Sequence, residues 1–182
     1  GGLVHYDLAK GVLERFIHDP MRADSLPPGT VQHIVRDRLD NVWVATGFGL
    51  AKLKPGQKTF EIFRNDKDNP RSLPYNSLRR LLVDSAGTLW IGTDGGGLAS
   101  LCEGCKEFER YVIPNSPNDK NSASNENVAA LYEDSRNQLW IGLRPGGLVK
   151  LDRGTGVIQR FRGEPGKPGA LSHDTITTIT ED

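Results

Sequence analysis

The chain has 182 residues, with 23 Lys and Arg set against 23 Asp and Glu, and so carries no net charge. That balance withholds the basic footprint that gripping nucleic acid or an anionic membrane surface requires, and no apolar run approaches the roughly 18 residues of a membrane span. With 21 Gly, 11 Pro and few helical patterns, the composition suits an all-β chain rich in turns, while two Cys are too few for a disulfide scaffold.

Taken in order, the chain opens with Gly2-Leu3 heading one strand and Leu13 to Phe16 forming the next. It then enters a unit that recurs. An inner strand ends in aspartate each time: Val31 to Asp37, Leu78 to Asp84, Val128 to Asp134 and Ile176 to Asp182. Asp at the start of the following turn, with Gly or Asn near its end, predicts a type I turn closed by a left-handed residue. Next comes a short apolar strand around tryptophan: Val42-Trp43-Val44, Leu89-Trp90-Ile91 and Leu139-Trp140-Ile141. All three tryptophans of the chain occupy this one context. A Gly-rich reversal follows at Gly47 to Gly49, Gly95 to Gly97 and Pro145 to Gly147, where positive φ is cheap only without a Cβ.

A third strand begins Gly49-Leu50, Gly97-Leu98 and Gly147-Leu148. The fourth carries Phe60-Ile62-Phe63, Phe108-Arg110-Tyr111 and Val157 to Phe161. Long polar connections then lead onward through Ser25-Leu26-Pro27, Ser72-Leu73-Pro74, Ser122-Ala123-Ser124 and Ala170-Leu171-Ser172. Leu26, Leu73 and Leu171 are expected to plug these connections between neighbouring units, a role Ala123 fills poorly.

A repeat of about 45–50 residues with four short strands per unit is the signature of a β-propeller blade. The expected fold is therefore all-β: four-stranded antiparallel blades in a partial array of three complete blades plus split strands. Residues 1–182 read as one domain, with a blade remnant at 1–17, blades at about 30–64, 77–112 and 127–162, and the first strand of a further blade at 175–182. Propellers close with 4–8 blades, so this count is expected of an excerpt from a longer protein, or of a ring completed by pairing of chains.

The run from Asp84 to Leu98, Asp-x-x-Gly-x-Leu-Trp-Ile-Gly-Thr-x-Gly-Gly-Gly-Leu, resembles the two-component regulator propeller repeat, as does its approach from Asn69 to Leu78. WD repeats close a strand with Trp-Asp, and kelch repeats place Trp after their double glycine, so both fit less well. The resemblance implies the extracytoplasmic, periplasmic sensor region of a bacterial membrane-bound signalling protein. Its output would be a histidine kinase, often a hybrid, or a diguanylate cyclase. The implied partners are an oligosaccharide or other small periplasmic solute, a neighbouring propeller or β-domain of the same protein, and a second copy in a homodimer. The membrane would be reached only through the parent chain. Two rival classes are a non-sensory interaction and dimerisation scaffold, and a propeller lyase or hydrolase.

Candidate sites follow from position in the repeat. Asp37, Asp84 and Asp134 read as turn-forming carboxylates whose oxygens accept backbone N–H bonds. Trp43, Trp90 and Trp140 read as inter-blade core. Cys102 and Cys105 flank a hairpin turn and are open to three readings: a local disulfide, half of a zinc site, or free thiols. The resemblance to an extracytoplasmic module favours the disulfide. His5, His18, His33 and His173 show no ligand spacing, no nucleophile motif occurs, and neither a metal, a cofactor nor catalysis is expected. In propeller topology the second-to-third reversals share a face with the fourth-to-first connections, at the mouth of the central channel. Ligand contacts are therefore expected from Phe48, Tyr75, Asn76, Asp94, Asn125, Arg144 and His173, with Arg22 beside them. Aromatic platforms and forked donors suit polar, sugar-like ligands.

Overall fold

The computed structural model describes residues 2–113, 127–156, 158–164 and 166–182, and the described residues form strands and turns without a helix. A two-stranded sheet of β1 (Leu3–Asp7) and β2 (Gly11–Phe16) precedes three four-stranded sheets. Blade 1 comprises β3 (Val31–Arg36), β4 (Val42–Thr46), β5 (Gly49–Leu53) and β6 (Phe60–Phe63). Blade 2 comprises β7 (Leu78–Val83), β8 (Leu89–Thr93), β9 (Leu98–Leu101) and β10 (Glu109–Tyr111). Blade 3 comprises β11 (Val128–Glu133), β12 (Leu139–Leu143), β13 (Leu148–Leu151) and β14 (Ile158–Phe161). Every sheet runs antiparallel in chain order, giving the propeller blade in a partial array.

The tryptophan strands of blades 1 and 2 are almost wholly buried because both their faces are covered. Successive side chains of a strand point to opposite faces. Trp43 and Ala45 accordingly pack into the cluster shared with blade 2, with Leu50, Leu78, Leu81, Leu89 and Ile91. Val44 points the other way, toward Phe16, Leu26 and Phe60 beside the β1–β2 sheet. One blade further on, Trp90 and Leu98 join Val128, Leu139, Ile141 and Leu143. The core is thus a series of layers between sheets.

How closely the blades approach is set by the residue after Trp-Ile. A Cβ on Gly92 would stand 2.5 Å from Val128 Cγ1, and one on Gly142 2.8 Å from Ile176 Cγ2. Ala45 holds the same slot in blade 1 and is fully buried, so that junction is spaced for a methyl group and the next two are not.

The turn between first and second strands is built as the sequence predicts. Asp40, Gly87 and Asn137 take the left-handed conformation, at φ of 63°, 87° and 60°. The Asp37 Oδ1 accepts the N–H of Leu39 and Asn41, Asp84 that of Ala86 and Thr88, and Asp134 that of Arg136 and Gln138, all between 2.8 and 3.0 Å. The other oxygen has a second role. The indole Nε1–H donates to it from Trp43 at 2.7 Å, Trp90 at 2.8 Å and Trp140 at 2.7 Å. Each aspartate therefore locks the turn and orients the tryptophan six residues later. Trp43 and Trp90 are buried, whereas Trp140 is half-buried and lines an open cleft with Phe161 and Leu171.

Leu26 and Leu73 are buried at 2% and 0% exposure, as plugs should be, while Leu171 is half-buried. Ser25 and Ser72 close the loops around the first two plugs: each hydroxyl accepts a backbone N–H and donates to a carbonyl of the residue six positions earlier. The third connection's core at 122–124 lies outside the described residues.

Residues 175–182, expected as a first strand, carry no strand assignment. A first strand pairs with the tryptophan strand of its own blade, and among the described residues 175–182 pair with none. The segment nevertheless lies along blade 3: the Ile176 N–H donates to Leu143 O at 3.0 Å, and Ile176 covers Gly142 as Val128 covers Gly92.

Candidate functional site

The inner strands deliver the first element of the site. Each carries an extra residue near its start: Gln32 in β3, Arg79 in β7 and Ala129 in β11 fall between paired neighbours. A bulge bends the strand and re-aims a side chain. In blade 2 the re-aimed group is Arg79, whose Nη2 donates to Asp94 Oδ2 at 2.8 Å. Both side chains keep about a third of their surface exposed, 38% and 32%.

The Gly-rich reversals and the long connections meet at this level. Asp94 N–H donates to Ser77 O at 2.9 Å, and Asp94 bridges Asn127 in the following connection. In blade 3, Arg144 N–H donates to Asn127 O at 2.9 Å, while Gly146 and Gly147 donate to Asp174 O. Tyr75 lies across the Gly95-Gly96 backbone, where a Cβ on Gly96 would meet Tyr75 Cβ at 2.5 Å. Phe48 lies beside Gly29 in the same way. The aromatic rings are thus braced from below by glycine backbone while remaining 55% and 47% exposed for Phe48 and Tyr75.

Of the residues expected here, Phe48, Tyr75, Asp94, Arg144 and His173 all sit on these reversals or connections. Asn76 sits on the same connection as Tyr75, its Oδ1 accepting the Asn65 N–H at 2.7 Å. His173 Nδ1 accepts the Thr175 N–H at 3.1 Å and the ring is exposed. Arg22, on the connection between β2 and β3, pairs with Asp24. Asn125 lies outside the described residues. His33, on β3, is half-buried, and burial followed by repulsion from Arg80 holds its pKa below the usual histidine range.

Sequence reasoning missed a second motif, on the turns between first and second strands. Ser85 N–H and Oγ–H both donate to Glu133, at 2.6 and 2.7 Å, across the junction of blades 2 and 3. Ser135 repeats this on Glu181, at 2.8 and 2.7 Å. The hydrogen bonds from Ser135, side chain first, hold the Glu181 carboxyl below the usual range. Arg153 joins the first clasp, its guanidinium pairing with Asp84 and Glu133. The signal was present in Asp84-Ser85, Glu133-Asp134-Ser135 and Glu181-Asp182, one register repeated. At the first junction Val83 replaces the glutamate, and Arg38 donates to Ser85 O instead. Cys102 and Cys105 form a disulfide across the β9–β10 hairpin.

Three clefts among the described residues lie away from this face. Clefts of about 620, 370 and 530 Å³ open between neighbouring sheets, and none is lined by Phe48, Tyr75, Asp94, Arg144 or His173. The channel-mouth face is a surface in this array.

Comparison with known proteins agrees with this architecture. Residues 72–95 and 122–144 match the family model described as "Two component regulator propeller". Among solved structures, the chain is similar to the extracellular domain of BT4673 from B. thetaiotaomicron, described in one structure as a hybrid two component system and in another as a one component system, with a TM-score of 0.77 and 23% identity over 100% of the chain in the first. It is also similar to that of the hybrid two component system BT3049 from the same organism, with a TM-score of 0.68 and 20% identity over 100% of the chain. The chain spans 22% and 28% of the length of those two structures. No curated protein matches it significantly.

Proposed function

We propose that the chain is part of an extracytoplasmic sensory propeller of a bacterial two-component protein, receiving a small polar, sugar-like signal on its channel-mouth face. The observation that carries this reading is the convergence of reversals and connections there, with Phe48 and Tyr75 exposed on glycine backbone and Arg144 and Asp94 nearby. Exposed aromatic rings on rigid backbone suit sugar rings, and forked donors suit their hydroxyls. The match to the two component regulator propeller model and the fold shared with extracellular domains support an extracytoplasmic location, with the periplasm as the compartment. The output, a histidine kinase or a diguanylate cyclase, would belong to the parent protein, as would a neighbouring β-domain and a homodimer contact.

A thermal-shift screen against oligosaccharides and other small solutes tests this. A ligand at about 100 times its Kd adds roughly 2.7 kcal/mol, which for a chain of this length raises Tm by about 5–10 °C. Tyr75→Ala and Arg144→Ala should abolish the shift while leaving the unliganded Tm within about 2 °C. A ligand-induced shift insensitive to both substitutions would refute the placement, and silence across the screen would refute the sensor reading. One observation favours the scaffold alternative: Val4, Tyr6, Leu8, Ile17 and Met21 are exposed in and beside the β1–β2 sheet, an apolar surface suited to protein contact.

A further inference from the structure

The cleft of about 620 Å³ lies between the outer strands of blade 1 and the disulfide-closed hairpin of blade 2. Three lysines line it: Lys52 and Lys54 from blade 1, and Lys106 next to Cys105. Among the described residues none of the three has an ion-pair partner, although Lys58, on the same blade 1 hairpin, is paired with Glu14. Lys52 is anchored with its ammonium 4.8 Å from the centre of the Trp43 ring, a ring itself fixed by Asp37. The single carboxylate in the lining is Glu61.

The opposite side of the same hairpin carries the opposite sign. Glu109, Asp84 and Glu107, the last paired with Arg71, line the neighbouring cleft of about 370 Å³, and the cation there, Arg153, is consumed by Asp84 and Glu133. In a chain without net charge, the hairpin thus separates a basic cleft from an acidic one. Low-dielectric walls lined by one sign concentrate ions of the other. The basic cleft also offers the Thr59 hydroxyl and the Gln57 amide as neutral partners, and Phe63 as an apolar wall. Its volume is that of a small-molecule site.

We propose that this cleft is a second ligand site, distinct from the channel-mouth face, and that it takes an acidic oligosaccharide. Lys54 and Lys106, from facing elements, hold the ligand's carboxylates, Lys52 closes the site from below, and Thr59 and Gln57 meet ring hydroxyls. A free inorganic anion would use the lysines but not these neutral groups. The inference does not depend on the channel-mouth reading, since the two faces share no residue.

Isothermal titration of the full chain with digalacturonate, its neutral counterpart galactobiose, and sodium sulfate tests it. Digalacturonate should bind, with affinity falling as salt rises, and galactobiose and sulfate should each bind at least tenfold more weakly. Lys54→Gln and Lys106→Gln should each weaken digalacturonate about tenfold, as expected for loss of a charge-assisted contact. Lys167→Gln, remote from the cleft and paired with Glu164, should leave binding unchanged. Unchanged melting curves establish that the exposed substitutions leave the fold intact. Sulfate binding as tightly as digalacturonate would mean an adventitious ion only and overturn the proposal. It is equally overturned if digalacturonate does not bind, or if its binding survives both cleft substitutions but is lost in Tyr75→Ala.

Discussion

Replacing Trp90 with phenylalanine isolates the link between the turn aspartate and the blade core. Phenylalanine keeps most of the apolar contact with Tyr111, whose ring lies 5.1 Å from that of Trp90, but removes the Nε1–H that donates to Asp84 at 2.8 Å. The Asp84 side chain is 1% exposed, so water cannot replace the lost donor and Oδ2 keeps Arg153 as its remaining partner. Loss of a buried hydrogen bond to a charged group costs about 1.5–3 kcal/mol. The space left by the smaller ring adds roughly 1–1.5 kcal/mol, on the scale of other large-to-small core changes. The sum, about 2.5–4.5 kcal/mol, corresponds to a fall in Tm of about 5–18 °C for a chain of this size. In Trp140→Phe both indole and carboxylate are half-buried, and the loss should be about half as large. Urea denaturation followed by far-UV circular dichroism avoids relying on the fluorophore being removed. A double-mutant cycle with Asp84→Ala should return a coupling of about 1.5–3 kcal/mol. Equal losses at positions 90 and 140, or coupling below about 0.5 kcal/mol, would refute the reasoning.

Other consequences of the architecture are as direct. Gly92→Ala places a methyl group against Val128 and should cost about 1–3 kcal/mol by overpacking, measured by the same denaturation; a neutral result would show that the blades are not in contact there. Cys102→Ser with Cys105→Ser opens a loop with a sequence separation of 3, for which chain entropy gives a loss of about 2 kcal/mol, equal to that caused by reductant on the parent chain. The turn carboxylates make stability depend on pH. Burial alone would raise Asp37 and Asp134, but for Asp37 hydrogen bonds from Asn41, Trp43 and Leu39, and for Asp134 from Trp140, Gln138 and Arg136, outweigh it and hold both below the ordinary 3.8. With the folded-state pKa depressed, the stabilisation is fully present above the unfolded value and is lost as pH falls through the folded one. Denaturation midpoints should therefore fall with pH below about 4, and the Asp134→Asn variant should show a shallower fall; an identical profile would contradict the assignment.

The sequence carried the fold because its signals agree at every level. Tryptophan, turn aspartate and reversal glycines recur in one register, and each has a local physical reason. The left-handed slot shows this well, since Asp40, Gly87 and Asn137 meet one backbone requirement with three different residues. What the sequence did not reveal depends on contacts between blades. The Ser85–Glu133 and Ser135–Glu181 clasps join residues 48 and 46 positions apart, and Arg153 reaches Asp84 across 69. Neither spacing is a feature of one strand or turn. The indole-to-aspartate bond was hidden for another reason: tryptophan and aspartate each already had a sufficient explanation, as core and as turn former. The channel-mouth residues were legible as a face because reversals and connections alternate regularly. Asn76 lies on one of these connections and braces it through the Asn65 N–H, a contact that nothing local in the sequence announces.

The central claim is that a signal is received on the channel-mouth face. Hydrogen–deuterium exchange, with and without the ligand that gives the largest thermal shift, tests it most directly. The account predicts slowed exchange in the reversals around Phe48, Asp94 to Gly97 and Arg144 to Gly147, and in the connections carrying Tyr75 and His173. Protection confined to the turns at Asp37, Asp84 and Asp134, or spread evenly over the blades, would contradict it.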